Sequence, residues 1–144
     1  MAENYSLFSE QITDLTAAEA TWVRRLMTLD AEKDQDRQAL LKELPLASGV
    51  DMDGWPGFSY RLECGELWLY SEEYVIVDHL EVFLRAFITK FRPESIFSIT
   101  GADTCSKPRV GEFGGWWMVV SKDKTEYGNT YDAATEAVAS LGVK

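Results

Sequence analysis

The residues best suited to chemistry crowd into one segment, Thr100-Gly101-Ala102-Asp103-Thr104-Cys105-Ser106-Lys107-Pro108-Arg109-Val110-Gly111-Glu112-Phe113-Gly114-Gly115. It holds a thiol, hydroxyl donors, the cations Lys107 and Arg109, and the carboxylates Asp103 and Glu112. Its closing glycines would let backbone amides approach a ligand closely. Lys107 and Arg109 could hold an anion. A nucleophilic Cys105 would need a base, and the only histidine of the chain is His79. If the two met, they would form a weak catalytic pair. A buried or incidental thiol and a structural histidine are the plainer reading of both residues.

Other chemistries find less to work with. One histidine and two distant cysteines, Cys64 and Cys105, lack the paired spacing of a zinc site. Asp51-Met52-Asp53-Gly54 hints at a calcium loop. Aligning its glycine to that motif puts Gly49 and Tyr60 at positions that need oxygen ligands, so the match fails. Gly111-x-x-Gly114-Gly115 lacks the Gly-Lys-Ser/Thr ending of a phosphate-binding loop, and a strand follows it. No metal and no cofactor is expected.

The elements around this segment follow from periodicity. Thr16-Ala17-Ala18-Glu19 is a capping box, and Trp22, Val23, Leu26 and Met27 follow on one helical face. Asp30 can end this helix and cap a second, which Pro45 stops. A helical hairpin is therefore expected over 17–44. Residues 1–15 alternate too weakly to classify, although Tyr5 to Phe8 could form a terminal strand. Residues 45–57 are rich in proline and glycine and read as an internal connection.

Phe58 to Leu62 and Glu66 to Tyr70 are strand-like runs separated by Glu63-Cys64-Gly65, which predicts a hairpin. Ile76, Leu80, Phe83, Leu84, Phe87, Ile88 and Phe91 form one apolar stripe on a long helix that ends at Pro93. Ser95 to Ile99 and Trp116 to Val120 are strands, Thr125 to Tyr127 is one more candidate, and a final helix closes at Gly142. The expected fold is α+β. An antiparallel sheet of four to five strands, in the order β-β-α-β-β-(β)-α, carries helices on one face and is preceded by the helical hairpin. The chain reads as a single domain over 1–144, with a helical segment at 1–44 and an α+β core at 58–144.

Trp116 and Trp117 are adjacent in a strand and must face opposite sides. One should pack under the long helix. The other is expected to be covered by the N-terminal hairpin, the alternative being an exposed interface anchor.

The segment from Thr104 to Gly115 resembles the signature of a family of small, uncharacterised bacterial and phage proteins. Glu66-Leu67-Trp68-Leu69-Tyr70-Ser71-Glu72-Glu73, Lys90-Phe91-Arg92-Pro93 and Gly128-Asn129-Thr130 extend the resemblance over residues 58–132. The family pattern continues with a third glycine where this chain has Trp116. The resemblance implies a phage or mobile-element setting and no established activity.

The 144 residues are 46% apolar and 12% aromatic, enough for a core without disulfides. The formal net charge is −10, which disfavours direct nucleic-acid binding and favours a partner with a basic surface. The longest apolar run, Trp116 to Val120, is far short of the ~20 residues of a membrane span. The polar start and the free thiols point to the cytoplasm.

The favoured function is a non-enzymatic acidic binding protein that uses Asp103, Lys107, Arg109, Glu112, Trp116 and Trp117. In the setting the resemblance implies, that becomes an inhibitor of a host defence nuclease, of anti-CRISPR or anti-restriction type. A toxin-immunity protein is the close variant. The other class left open is a small enzyme or small-molecule binder centred on the 101–115 loop. A deep pocket holding Asp103, Cys105, Arg109 and His79 would favour that second class.

Overall fold

The computed structural model describes residues 3–142. The elements follow in the order β1 (Asn4–Ile12), α1 (Ala17–Met27), α2 (Asp34–Glu43), β2 (Ser59–Glu63), β3 (Glu66–Tyr70), α3 (Val77–Phe91), β4 (Phe97–Cys105), β5 (Gly114–Val120), β6 (Thr125–Asn129) and α4 (Thr130–Gly142), with a short 3-10 turn at Pro45–Gly49. The fold is α+β with one antiparallel sheet, as the sequence predicts. The sheet has six strands rather than four to five, in the order β2-β3-β1-β4-β5-β6.

The extra strand is β1, and it stands in the middle. Asn4 to Phe8 pair with β4, and Ser9 to Ile12 pair with β3. Ser71 fastens the switch between partners. Its hydroxyl accepts the Phe8 N–H at 3.1 Å and donates to the Ser6 carbonyl at 2.8 Å. The helical hairpin therefore does not precede the sheet, since the chain's first strand is already central to it. The alternation of β1 is hard to read because Ser6 and Glu10 share the covered face with the buried Phe8 and Ile12. Burial pushes the Glu10 carboxyl above its ordinary range.

The β2–β3 hairpin forms as expected. Cys64 and Gly65 both take positive φ, 51° and 76°, which is the backbone of a tight two-residue turn that follows the strand twist. At the other side of the sheet, β4 runs on to Cys105. The expected 101–115 loop is thus strand at both ends, 101–105 and 114–115, and the true connection is 106–113.

Pleating gives the sheet two unlike faces. Phe8, Ile12, Leu67, Leu69, Ile99, Met118 and Val120 share one face and are buried. They join the helices in a single apolar cluster. Phe87 of α3 meets Phe97 of β4 at 6.2 Å between ring centroids. On its other side α3 meets Trp22 of α1, which lies 5.9 Å from Phe83 and 5.5 Å from Phe91. Helix α3 thus touches both the sheet and the hairpin, and Phe83, Phe87 and Ile88 are fully enclosed.

The capping box of α1 is present in both directions. The Glu19 N–H donates to Thr16 Oγ1 and the Thr16 N–H donates to the Glu19 carboxylate. Arg92 then closes the far side, donating to Glu19 at 2.8 Å and to the carbonyls of Thr13 and Asp14. Desolvation pushes the Glu19 carboxyl up, but Arg92 and the Thr16 donors outweigh it, and the net shift is downward. The N-cap of α2 is Lys33, without a side-chain bond, instead of Asp30. Asp30 turns the loop by accepting the Glu32 N–H.

On the opposite sheet face none of the described strand residues is buried. The N-terminal hairpin packs on the α3 side, so the expected cover for Trp117 is missing, and that ring is 41% exposed. Among the described residues no helix is long and apolar enough to cross a membrane.

Candidate functional site

The covered face opens at one end into a groove of 670 Å³. The starts of β1 and β5, the end of β4, the lead into α3 and the first turn of α4 all border it. Trp116 turns into this end because its cross-strand partner is Gly101. A Cβ on Gly101 would lie 2.1 Å from the indole, so only glycine admits the ring. Phe8 supports Trp116 from β1 at 6.2 Å. The Trp116 Nε1–H is shielded from solvent and has no acceptor among the described residues.

The far wall depends on the β5–α4 junction. The Gly115 N–H donates to Thr130 Oγ1 at 2.9 Å, tying the first residue of α4 to the sheet. Asn129 caps α4 by accepting the Asp132 N–H at 2.7 Å. Tyr74, Phe113 and Tyr131 stand with Trp116 among the lining residues, while Tyr5 borders the groove from β1 with its ring on the opposite face of the pleat.

Two carboxylates, Asp103 and Glu112, stand among the lining residues, and among the described residues no lysine or arginine does. More negative charge flanks them. Tyr5 donates to Glu3 at 2.7 Å, and that bond, with the charge of Glu73, holds its phenol above the ordinary value. Glu72 and Glu73 line an adjoining cleft of 270 Å³ that shares Tyr74 with the groove. An aromatic, carboxylate-bearing concavity without cations is suited to a cationic group, which can meet ring faces and acid oxygens together.

The sequence-derived candidates separate in space. Asp103, Glu112 and Trp116 come together in the groove. Lys107 and Arg109 are exposed on the 106–113 connection and do not line it. Trp117 faces the other side of the sheet. Cys105 ends β4, half-buried and opposite Asn4.

His79 is fully enclosed near the start of α3. Its Nδ1 accepts the Gly57 N–H at 3.0 Å, and its Nε2 lies 2.8 Å from the Asp51 carbonyl. Those partners require a neutral ring protonated at Nε2, with both nitrogens occupied. It has no free lone pair with which to serve Cys105 as a base, so the conditional His79–Cys105 pair does not form. Among the described residues no group of three or more His, Cys, Asp or Glu side chains could hold a metal ion.

Sequence reasoning missed Tyr5, Tyr74 and Tyr131. Recognising β1 as a strand beside β4 was the signal that would have brought Tyr5 to Asp103 and Thr104. No protein-family model matches this chain, and neither a curated protein nor a solved structure shows significant similarity to it.

Proposed function

We propose that this chain is a non-enzymatic binding protein whose groove receives a basic segment of a protein partner. The observation that carries the reading is the lining itself: Trp116, Tyr74, Phe113 and Tyr131 with Asp103 and Glu112, and no cation among the described residues. A lysine or arginine of the partner would leave water for ring faces and carboxylates, while the net charge of −10 draws the basic surface in. The partner class this favours is a nucleic-acid enzyme, whose substrate channel is basic. In the phage or mobile-element setting suggested by residues 58–132, that partner is a host defence nuclease and the bound chain is its inhibitor. Catalysis at Cys105 draws no support from the arrangement, because His79 is committed elsewhere.

Affinity capture from a bacterial host, with mass spectrometry, tests the reading. The wild-type chain should recover a nuclease, releasing it as salt rises, and should inhibit the purified enzyme. The double variant Asp103→Lys, Glu112→Lys should lose both effects. Inhibition that survives this charge reversal would overturn the reading, as would recovery that is indifferent to salt.

A further inference from the structure

The cations of this acidic chain are unevenly spread. Lys42 from α2, Arg85 and Lys90 from α3, and Lys122 from the turn between β5 and β6 line one cleft of 370 Å³. That volume is within the range of small-molecule pockets, about 300–1,000 Å³. The cleft lies toward the C-terminal end of α3. The acidic groove reaches Val77 at the other end, about 8 to 20 Å along the helix axis from the residues α3 gives the cleft.

These charges are poorly compensated from within. Among the described residues Glu43 is the only carboxylate in the lining, and it already accepts from Trp22 Nε1 at 2.9 Å and from Arg25 at 3.2 Å. Among the described residues, Lys42, Lys90 and Lys122 make no ion pair.

Arg85 is held in place, with its side chain 17% exposed. One terminal nitrogen donates to Thr125 Oγ1 at 2.6 Å, and Glu81 stands at a long 3.9 Å. Its Nε–H is shielded from solvent and has no acceptor among the described residues. Arg85 is thus a pre-positioned guanidinium with unused donor capacity, beside three lysines that share the single nearby carboxylate Glu43 and make no ion pair with it. Pro45, Leu46, Val82 and Ala86 supply apolar walls, and Thr89 adds one hydroxyl.

We propose that this cleft binds a small organic anion, an oxyanion head on a compact apolar body. The head sits among Arg85, Lys90 and Lys122, and the body lies against Leu46, Val82 and Ala86. Carboxylate and phosphate share this chemistry, and two probes separate them.

The test follows the Arg85 Nε–H resonance by NMR during titration with phenyl phosphate, benzoate, inorganic phosphate and phenol. At least one of the two aromatic anions should shift it saturably, with a Kd of about 1 mM or tighter. Inorganic phosphate should bind about tenfold more weakly, and phenol should not shift the resonance. The variant Lys90→Glu, Lys122→Glu alters two exposed side chains, so its spectrum should stay dispersed while affinity falls by about tenfold or more. No saturable shift with either aromatic anion up to about 10 mM would overturn the proposal. So would undiminished binding by the double variant. Equal affinity for inorganic phosphate would remove the apolar body from it.

Discussion

Trp116 and Trp117 are neighbours on β5, and each lies over a glycine of an adjacent strand. Trp116 covers Gly101 on the face beneath the helices, while Trp117 covers Gly128 on the bare face. The chemistry of the two rings is the same, and so is the device that seats them. What differs is what lies above. Trp116 has Phe8 and the core around it, whereas Trp117 has solvent. On one side of this sheet a side chain is held by a closed environment. On the other it is held only by the strand it rests on. The bare face also carries the stacked pair Trp68 and Tyr70, at 4.0 Å, with the Arg61 guanidinium 5.6 Å from the Trp68 ring. Those groups are arranged among themselves and contribute little to the core.

The largest difference should appear at the centre of the covered side. Phe87 is fully buried between sheet and hairpin, and Phe87→Ala should cost about 3–5 kcal/mol in urea denaturation. A smaller loss would mean that α3 is less enclosed than its contacts imply.

The paired glycines probe the two faces with one chemical change. An added methyl would lie 2.1 Å from Trp116 in Gly101→Ala and 2.2 Å from Trp117 in Gly128→Ala. Trp116 cannot leave without displacing the core, so Gly101→Ala should cost about 1–3 kcal/mol. Trp117 can swing into water, so Gly128→Ala should cost under about 1 kcal/mol. Equal losses would remove the distinction between the faces.

Next comes the ion pair that ties α3 to α1. Glu19→Gln should cost about 1–2 kcal/mol, since it weakens charge-assisted bonds from Arg92 and Thr16. Glu43 is lowered as well, by the Trp22 N–H first, against desolvation, and then by Arg25. Both carboxyls therefore stand below the ordinary 4.5 in the folded chain. Their contribution is complete above that pH and is lost as pH falls through the lowered values. Denaturation midpoints measured from neutral pH into acid should show the decline, and Glu19→Gln should flatten it. The smallest effect belongs to the bare face. Trp117→Ala should change stability by under about 1 kcal/mol in the same assay, and a greater loss would show that the ring is part of the core.

The sequence carries these differences to unequal degrees. The capping box at Thr16 and the stripe along α3 are legible because local spacing alone specifies them. The opposed facing of Trp116 and Trp117 is legible for the same reason. β1 is obscured because two of its covered positions, Ser6 and Glu10, are polar. The length of β4 depends on β1, since Gly101 to Cys105 pair with Phe8 to Asn4. A polar, glycine-containing stretch becomes strand there because a distant segment offers it a ladder. The side on which the hairpin packs was likewise set by long-range contacts between Trp22 and α3. Within the groove, Asp103, Glu112 and Trp116 were visible through their shared segment, and the tyrosines contributed by other elements were not.

Helix α4 has no buried residue, and Tyr131, Val138 and Leu141 all face outward. A helix of 13 residues that buries none of its side chains and touches the sheet chiefly through its first turn is marginal in water on its own. Its first turn is also a groove wall, through Asn129, Thr130 and Tyr131. Whatever occupies the groove would press on the end from which that helix winds, so occupancy and helicity are thermodynamically linked. Amide hydrogen exchange along 130–142 would then act as a gauge of the empty and filled states, readable without knowing the identity of the guest.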